Sequence, residues 1–541
     1  MQTTELSKVK QNLIAEIEQR VTDRVLEPTN AALLTKLIAQ ADNDNEAMSI
    51  AALGTTYKRT GLHFDKRLEP MTSDIRYFRK NEALSFHTDN NKPTHKLIIG
   101  DNYEALQNLL IQYTGAIDVI YIDPPYGKDS MGEFAQTNYQ NAITRDNLLS
   151  MLYPRLQLAK QLLSDSGVIF CSIDDKNQAY LKCLFDEVFG EQNFVSTFVW
   201  KSRQNKDNRN ISGVSIDHEY IITYSKTPNI RTFKGSERKK EQYSNPDNDP
   251  RGPWASGNMV GLLDETQRPN CHYDLVNPTT GINYGKPKMG WQYDKNTMNK
   301  LIEEDRIIWS DSPDGRPRKK TFLSEISEVL PGFSSIVGDQ IFTRDGTSQL
   351  ESIFAQRPFG FPKPIEIVKE LLEQTTSKDS IILDFFAGSG TTGHAVLDLN
   401  RSEEAEGDLF AEQNTGGKRT FILCQMNEKT DTTPNGIAYD VTAKRLKRIM
   451  TGECYDGSKD FDWAKKNKPY GGNLDVYELA TVPNFEYTAG KSAFEVIDET
   501  LYGHEPFTNL RDKIEWVCTH FQNAQRRVET NNEWQKRTAQ Q

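Results

Sequence analysis

The stretch VIYIDPPYGKDS places a carboxylate and a phenol on either side of two prolines. Its apolar VIYI segment is typical of a strand that is covered on both faces. Pro124 and Pro125 donate no backbone hydrogen bond and fix φ near the polyproline value, so the strand ends at a stiff corner between Asp123 and Tyr126. The corner is either a structural turn or a preorganised site. We favour a site, because a fixed tetrapeptide of this kind is rare by chance.

Such a corner suits methyl transfer to an exocyclic amine of a nucleobase. The lone pair of the adenine amine is delocalised into the ring, so the nitrogen must pyramidalise and lose a proton to accept a methyl group. The Asp123 carboxylate and a backbone carbonyl beside Pro124 can accept its two N–H groups at fixed angles. Tyr126 offers a face for stacking an extruded base, worth about 1–3 kcal/mol, since a paired base must first be flipped out. The scheme needs no metal and no nucleophilic residue.

A second stretch, LDFFAGSGTTG, runs from an apolar strand into Gly388, Ser389, Gly390 and Thr391. Glycines let the backbone turn sharply and approach a ligand closely. In doubly wound sheets such a turn holds a nucleoside-containing cofactor, although a tight structural loop is the alternative. No Gly-Lys-Ser/Thr follows, so the turn is not a phosphate-binding P-loop. A ligand without phosphates, such as S-adenosylmethionine, therefore fits better than ATP.

Alternating strand and helix patterns position both stretches. The alternation covers residues 94 to about 228 and resumes near residue 360, which predicts a mostly parallel sheet with helices on its faces. Within it, DNLLSMLYPRLQLAKQLLSDSG predicts a long amphipathic helix that ends at Gly167.

The two flanking segments of the chain are predicted to be helical. Residues 1 to about 90 carry an apolar stripe that suits ordinary core packing, and Pro28 ends its first run. The segment from about 470 ends in a second stripe, which packs either internally or against a partner. The stripes are Leu13, Ile17, Val21 and Val25, and Leu510, Ile514, Val517 and Phe521.

Residues 229–345 break the alternating pattern and predict an inserted module of loops and short strands. The chain has 65 Lys+Arg against 76 Asp+Glu, a net charge of −11, which by itself argues weakly against a nucleic-acid partner. Charge acts locally, however, because salt screens it beyond about 10 Å. Residues 199–240 hold ten Lys/Arg and four acids, and GRPRKK follows at 315–320. These runs are either a solvated surface or a phosphate-binding face.

Composition excludes several classes of protein. A length of 541 residues suggests about three or four domains, and 36% hydrophobic with 26% charged residues is typical of a soluble globular chain. Because there is no apolar run of about 18 residues and no apolar secretion signal, we expect no membrane span. The six cysteines form no CxxC pair, so we expect neither a zinc site nor disulfides, and a cytoplasmic location.

Taken together, DPPY and FAGSG resemble the catalytic and S-adenosylmethionine motifs of amino-group DNA methyltransferases. The catalytic motif comes first and an insert separates the two, which is the beta-class arrangement. Over about residues 95–450 the chain resembles the modification subunit of type III restriction-modification systems. The stretches that carry this resemblance are LIIGDNYEAL, SGVIFCSIDD, DHEYIITYSK, DPRGPW, FPKPIEIVKELL and LDFFAGSGTTGHAVLDLN.

The resemblance implies an α/β fold with a circularly permuted, Rossmann-like class I methyltransferase sheet. It also implies a DNA-recognition insert and helical N- and C-terminal segments. The expected order is an N-terminal helical segment, the catalytic half of the core, the target recognition insert, the cofactor-binding half and a C-terminal helical segment. The corresponding ranges are 1–92, 93–228, 229–345, 346–470 and 471–541.

The resemblance also implies roles for individual residues. Those that hold the flipped adenine are Asp123, Pro124, Pro125 and Tyr126. Those that surround the methionine end of the cofactor are Asp384, Phe386, Gly388, Gly390 and Thr391. Lys363 either neighbours the cofactor carboxylate or is a surface lysine. Related enzymes usually carry an acid at the position of Gln425, so Gln425 and Glu428 are alternative ribose ligands. Asp101 either approaches the cofactor's adenine or caps the following helix.

The implied activity is N6 methylation of adenine in duplex DNA, as the modification and specificity subunit of a type III system. The insert would read the DNA sequence, with Arg251, Arg268 and Arg316 as candidates for contacting base edges. The family implies a homodimer and a helicase-nuclease restriction partner; this chain has no Walker motif and is not the motor itself. A solitary adenine methyltransferase, an N4-cytosine enzyme, which more often has Ser in place of Asp123, and an RNA methyltransferase are the alternatives.

Overall fold

The computed structural model describes residues 6–22, 26, 28–54, 75–126, 145–206, 212–228, 231–236, 242–325, 331–407, 417–482 and 493–521. Parts of the basic run at 199–240, Val25 of the first apolar stripe and the chain after Phe521 lie outside these residues. The strands are β1 (Ile75–Lys80), β2 (Phe86–His87), β3 (Thr94–Ile99), β4 (Ile117–Ile122), β5 (Leu163–Ile173), β6 (Phe194–Trp200), β7 (Glu219–Ser225), β8 (Trp254–Gly257), β9 (Ile307–Ile308), β10 (Arg318–Phe322), β11 (Ile336–Val337), β12 (Ile381–Asp384), β13 (Thr420–Gln425) and β14 (Asn473–Val482). The helices are α1 (Lys8–Thr22), α2 (Pro28–Gln40), α3 (Asp44–Gly54), α4 (Asn102–Tyr113), α5 (Arg145–Leu162), α6 (Gln178–Phe189), α7 (Lys295–Glu303), α8 (Thr343–Phe354), α9 (Ile365–Thr375), α10 (Thr391–Gly407), α11 (Lys444–Thr451), α12 (Asp462–Lys466), α13 (Ala493–Val496) and α14 (Leu510–His520).

A mixed sheet of eleven strands forms the centre of the described structure. Its order is β1-β14-β3-β13-β12-β4-β5-β7-β6-β11, and β2 pairs with β14 outside this path. The strands from β14 to β5 are parallel, whereas β7 runs antiparallel between β5 and β6. The predicted α/β fold with a mostly parallel sheet is therefore confirmed.

The two halves of the sheet meet at β4 and β12. Val119 pairs with Ile382 and Ile120 with Leu383, in parallel orientation, although the strands are distant in the chain. Parallel neighbours end at the same edge of a sheet, so the DPPY corner and the glycine turn come out side by side. Strand β12 comes late in the chain but lies in the middle of the sheet, beside β4, as the predicted circular permutation requires.

Helices cover both faces of the sheet, and β4 shows why. Its residues alternate between two cores, with Ile120 and Ile122 in one and Val119 and Tyr121 in the other. Leucines of α4, α5 and α6 fill the first core, and residues of α8 to α11 fill the second. Strands buried on both faces must be apolar throughout, which explains the continuous apolar runs in the sequence.

The helical prediction for the two flanking segments is only partly correct. Helices α1 to α3 do form a small cluster around Ile17 and Ile38. The predicted helical segment 1–92 is wrong for β1, which pairs antiparallel with β14, and the predicted helical segment 471–541 is wrong for β14, which pairs with β3. Both strands contain β-branched and aromatic residues that suit a sheet surface, so the chain's flanks extend the sheet.

Gly167 does not end a helix, as the sequence pattern predicted. Helix α5 ends at Leu162 and β5 begins at the next residue, because Leu163 already pairs with Ile117 of β4. A Cβ at Gly167 would lie 2.9 Å from the Ile117 carbonyl oxygen. This glycine therefore allows a close backbone approach at an irregularity in the sheet.

The insert is smaller than the predicted 229–345. Strands β8, β10 and β9 form a three-stranded sheet, and α7 packs with it around a separate core that includes Trp291 and Met298. The ends of the predicted range belong to the central structure, because β11 pairs with β6 and the Lys234 amide donates to the Gln374 carbonyl. Among the described residues, the self-contained module spans 242–325.

The end of the C-terminal apolar stripe packs internally. Val517 and Phe521 are buried in the first core, against Tyr502, whereas Leu510 is 58% exposed. A dimer contact through the exposed part of this stripe remains a prediction. Among the described helices, none combines the length and the apolar character that crossing a bilayer would need.

The pairing of β4 with β12 predicts a strong dependence of stability on Leu383. Its side chain is completely buried, so Leu383→Ala should lower the free energy of unfolding by about 2–5 kcal/mol through the cavity it leaves. Ile336→Ala, at a side chain that is 71% exposed, should change it by no more than about 0.5 kcal/mol. Urea unfolding followed by circular dichroism measures both, and equal losses would contradict the fold.

Candidate active site

The DPPY corner is held together by its own side chains. Pro124 and Pro125 are buried, while Asp123 and Tyr126 are partly exposed. The Tyr126 hydroxyl lies 3.0 Å from Asp123 Oδ1 and 3.2 Å from Glu219 Oε2. The two prolines fix the backbone, and the phenol fixes the carboxylate across them.

Lys363 reaches this corner from the segment before α9. Its Nζ lies 3.0 Å from Asp123 Oδ1, 3.0 Å from Glu219 Oε2 and 2.9 Å from the Tyr126 hydroxyl. The side chain is only 10% exposed, so the alternative of a surface lysine is wrong. The Lys363 carbonyl also accepts from Thr391 Oγ1 at 3.2 Å. Lys363 therefore links the DPPY corner to the glycine turn.

Burial and charge oppose each other in this cluster. Burial raises the pKa of Asp123, and the nearby Lys363 ammonium offsets part of that rise. Burial alone would lower the pKa of Lys363, but the charges of Asp123 and Glu219 outweigh it and raise that pKa above its ordinary value. Burial, followed by the charge of Asp123, raises the pKa of Tyr126. At neutral pH the cluster therefore contains an ammonium and a protonated phenol.

The glycine turn needs glycine at two positions. Gly388 and Gly390 have φ of 52° and 83°, in the left-handed region that side chains rarely adopt. The Gly388 amide donates to Gln425 Oε1 at 2.6 Å, and its carbonyl accepts from Thr442 Oγ1 at 2.7 Å. A Cβ at Gly388 would come within 3.2 Å of the Phe359 ring. Phe359 therefore covers the side of the turn that a side chain at Gly388 would fill.

Asp384 and Phe386 support the turn from beneath. The Phe386 amide donates to Asp384 Oδ1 at 2.9 Å, and Thr392 Oγ1 donates to Oδ2 at 2.6 Å. Asp384 and Phe386 are both buried, and burial raises the pKa of the Asp384 carboxyl to about 7. In this structure Asp384 braces the backbone of the turn, while its predicted cofactor contact remains a prediction.

Arg445 of α11 also supports the turn, and the sequence did not identify it. This fully buried guanidinium donates to Ser389 Oγ at 3.0 Å and to Thr391 Oγ1 at 3.1 Å. The available signal was a basic residue beside Leu446 and Ile449, on the apolar face of TAKRLKRIM. An arginine there points inward only if a polar turn lies opposite, which the sequence of the helix does not reveal.

The two candidate ribose ligands differ in their hydrogen bonding. Both ends of the Gln425 amide are engaged, since Oε1 accepts from Gly388 and Nε2 donates to the Met426 carbonyl at 2.9 Å. Glu428 Oε2 is buried without a hydrogen-bond partner, and burial raises its pKa to about 7. An unpartnered buried acceptor suits a ligand hydroxyl.

Asp101, another predicted site residue, is bonded by groups close to it. Asp101 accepts from the Tyr103 amide at 2.8 Å and pairs with Arg155 at 3.1 Å. The helix-cap alternative for Asp101 is therefore correct, and its contact with the cofactor's adenine stays a prediction.

In the insert, Arg251 is held by neighbouring groups. Its guanidinium contacts Asp249 at 2.6 Å and donates to the Glu304 carbonyl at 2.6 Å, and its contact with a base edge remains a prediction. Arg268 and Arg316 are exposed, and their base contacts remain predictions.

Glu219 is the other site residue that the sequence reasoning missed. It is the first residue of β7, which runs antiparallel to β5. An antiparallel strand begins at the edge where its parallel neighbours end, so its first residue belongs beside the DPPY corner. The acid in DHEYIITYSK could have been found from this rule, given the strand order.

The site and the sheet have the features of one class of enzyme, the S-adenosylmethionine-dependent DNA methyltransferases. The buried Glu428 Oε2, which has no hydrogen-bond partner among the described residues, fits the ribose hydroxyls of such a cofactor. The model of the N6_N4_Mtase DNA methylase family matches residues 117–432, more than half of the chain, and the chain belongs to this family, which uses S-adenosylmethionine. A model of an uncharacterised conserved protein, UCP028340, matches residues 10–118.

Several curated proteins are similar to this chain. The StyLTI Mod subunit of a type III restriction-modification enzyme from Salmonella typhimurium is 29% identical, over 74% of this chain and 65% of that protein. The type III EcoP15I Mod subunit from Escherichia coli is 28% identical, over 83% of this chain and 73% of that protein. The type II methyltransferase M.KpnI from Klebsiella pneumoniae is 31% identical, over 68% and 89%. The chain thus spans slightly less than two thirds of StyLTI Mod.

The buried Asp384 carboxylate predicts a pH dependence of stability. Its pKa of about 7 lies above the value of about 3.9 for an unfolded aspartate. A group with a raised folded pKa contributes stability that is complete below the unfolded pKa and is lost as pH rises through the folded pKa. We therefore expect Asp384→Asn to remove a decline in stability between about pH 4 and 7 that amounts to at most about 1.4 kcal/mol per pH unit.

Urea unfolding of both proteins across this pH range measures the effect. Asp379→Asn, at an exposed carboxylate before the same strand, is the matched control and should keep the wild-type slope. An unchanged slope in Asp384→Asn would contradict the assignment.

Proposed function

We propose that this protein is a site-specific adenine DNA methyltransferase that acts on the N6 amine of a flipped base in duplex DNA. The observation that carries the proposal is the parallel pairing of β4 with β12. It brings the DPPY corner and the glycine turn to the same edge of the sheet, where a base and a methyl donor would have to meet.

One group of residues would bind the cofactor, and another would bind the target base. S-adenosylmethionine, when bound, supplies an electrophilic methyl group. The turn from Gly388 to Thr391 would hold its methionine end, with Phe386 and Asp384 as support, and Glu428 would hold the ribose. Asp123 and a backbone carbonyl of the corner would accept the N–H groups of the target amine and so increase its nucleophilicity. Burial of this corner strengthens those hydrogen bonds by excluding water.

Adenine is the favoured base because the corner begins with aspartate. A carboxylate is a stronger acceptor for an amine N–H than the serine hydroxyl common in N4-cytosine enzymes. The family model covers both N6 and N4 enzymes, so N4 methylation of cytosine is the second candidate. RNA methylation on the same fold is a third.

We further propose that the chain is the modification and specificity subunit of a type III system. Similarity to StyLTI Mod and EcoP15I Mod over most of this chain supports it, whereas similarity to M.KpnI supports a solitary enzyme. In the type III case the chain would act as a cytoplasmic homodimer with a restriction subunit. Residues 242–325 would read the DNA, with the exposed Arg268 and Arg316 as candidates.

Asp123→Ala should abolish methyl transfer, by at least about 100-fold, because it removes the acceptor for the target amine. Affinity for S-adenosylmethionine should change by less than about threefold, since the carboxylate serves the base. Transfer of labelled methyl groups to DNA from an unmodified host measures the rate, and calorimetry measures affinity. Asp379→Ala is the matched control, and retained activity in Asp123→Ala would disprove the mechanism.

Nucleoside analysis of the labelled DNA from the same experiment separates the candidate functions. N6-methyladenine is the expected product. N4-methylcytosine would contradict the choice of base, and labelling of host RNA in preference to duplex DNA would contradict the choice of nucleic acid.

At about pH 8.5, above the Glu428 pKa of about 7, Glu428→Gln should weaken the binding of S-adenosylhomocysteine by about tenfold, as the loss of hydrogen bonds from a charged acceptor predicts. The 2′,3′-dideoxy analogue lacks the ribose hydroxyls, so its affinity should be the same for the variant and the wild type. Calorimetry with both ligands measures the two effects. Equal losses for the two ligands would show that Glu428 does not contact the ribose.

A further inference from the structure

Glu219 belongs to the ion cluster at the DPPY corner, but it is not part of either sequence motif. Its Oε2 lies 3.0 Å from Lys363 Nζ and 3.2 Å from the Tyr126 hydroxyl. Its side chain is 20% exposed. Asp123 Oδ1 has the same two partners, each at 3.0 Å. One ammonium and one phenol are thus shared between two carboxylates.

The strand holds Glu219 in a fixed place. It pairs with Trp200 of β6, a buried residue whose indole Nε1 donates to the Ile341 carbonyl at 2.8 Å. The Lys363 ammonium also lies over the Trp200 ring, 5.9 Å from its centroid. The position of Glu219 relative to Lys363 is therefore set by the sheet, not by a mobile surface side chain.

This sharing affects the availability of Asp123. An ammonium bonds a carboxylate about twice as strongly as a neutral amine does. If Asp123 were the only carboxylate near Lys363, the target amine would have to displace that ammonium to reach it. A second carboxylate lets Lys363 stay neutralised, and the Tyr126 phenol stay bonded, while Asp123 turns to the amine.

We propose that Glu219 is a positioning residue of the transfer reaction, which holds Lys363 and Tyr126 so that Asp123 remains available to the target amine. The inference rests on the proposed function, because it assigns a partner to the Asp123 of that mechanism. Glu219 itself touches neither the base nor the cofactor in this scheme.

Glu219→Gln should lower the single-turnover rate of methyl transfer at least about tenfold, because an amide oxygen holds an ammonium less strongly than a carboxylate. Binding of S-adenosylmethionine should stay within about twofold of the wild type. Glu219→Asp keeps the charge and should recover part of the rate. Glu191→Gln, an exposed glutamate in the same half of the core, is the matched control.

The pH profile separates positioning from a merely structural role. Glu219 raises the pKa of Asp123, so its removal should lower that pKa and move the acid limb of the rate to lower pH, although the plateau falls. The charged and titratable groups that surround Asp123 are otherwise unchanged in the variant; they are Lys363, Tyr126, Tyr121, Cys171 and Asp384.

The experiment uses the full-length chain, labelled S-adenosylmethionine and DNA from an unmodified host. A Glu219→Gln rate within twofold of the wild type would overturn the inference. The inference would also be overturned if the variant had a lower rate, an unchanged acid limb of the pH–rate profile and a lower urea midpoint of unfolding. Those results together would indicate a residue with a merely structural role. If the wild type forms N4-methylcytosine, the choice of adenine fails, and the same variants then test Glu219 on cytosine.

Discussion

The hydrogen-bonded pairing of β4 with β12 is the constraint on which the rest of the structure depends. Neither strand holds a complete site, since one ends in a proline corner and the other in a glycine turn. Parallel pairing aligns their carboxyl ends, and the apolar residues on both faces fix the register, because a slip of one residue would exchange the two cores. The site is therefore built by the sheet, and a permuted chain order does not disturb it.

The charged side chains at this edge of the sheet are paired, which reduces the free-energy cost of burying them. An isolated buried carboxylate or ammonium is costly, and pairing reduces the cost only when the remaining hydrogen bonds are satisfied. Asp123 and Glu219 share Lys363 and Tyr126, which satisfies the ammonium and the phenol. Two carboxylates against one ammonium leave the edge with excess negative charge.

The features that were predicted correctly from the sequence are those that depend on a few neighbouring residues. The stiff DPPY corner, the glycine turn and the alternation of strands and helices each have a signal within a few residues. Glu219 and Arg445 were missed because their roles depend on what lies opposite them in the fold. Strands β1 and β14 were predicted as helical because their pairing depends on partners distant in the chain: β14 lies between β3 and β1, and β1 pairs with β14.

The position of the insert explains how recognition and chemistry can change separately. The chain segments that flank it on either side lie next to each other. The Ser236 amide donates to the Pro331 carbonyl at 2.9 Å, and the rings of Phe233 and Phe333 stack with centroids 5.8 Å apart. Phe233 and Phe333 also pack against the second core, while the module beyond them has a core of its own. Insertions between adjacent ends disturb a host domain little. Substitutions within residues 242–325 can therefore alter a binding surface without shifting the register that aligns the corner with the turn.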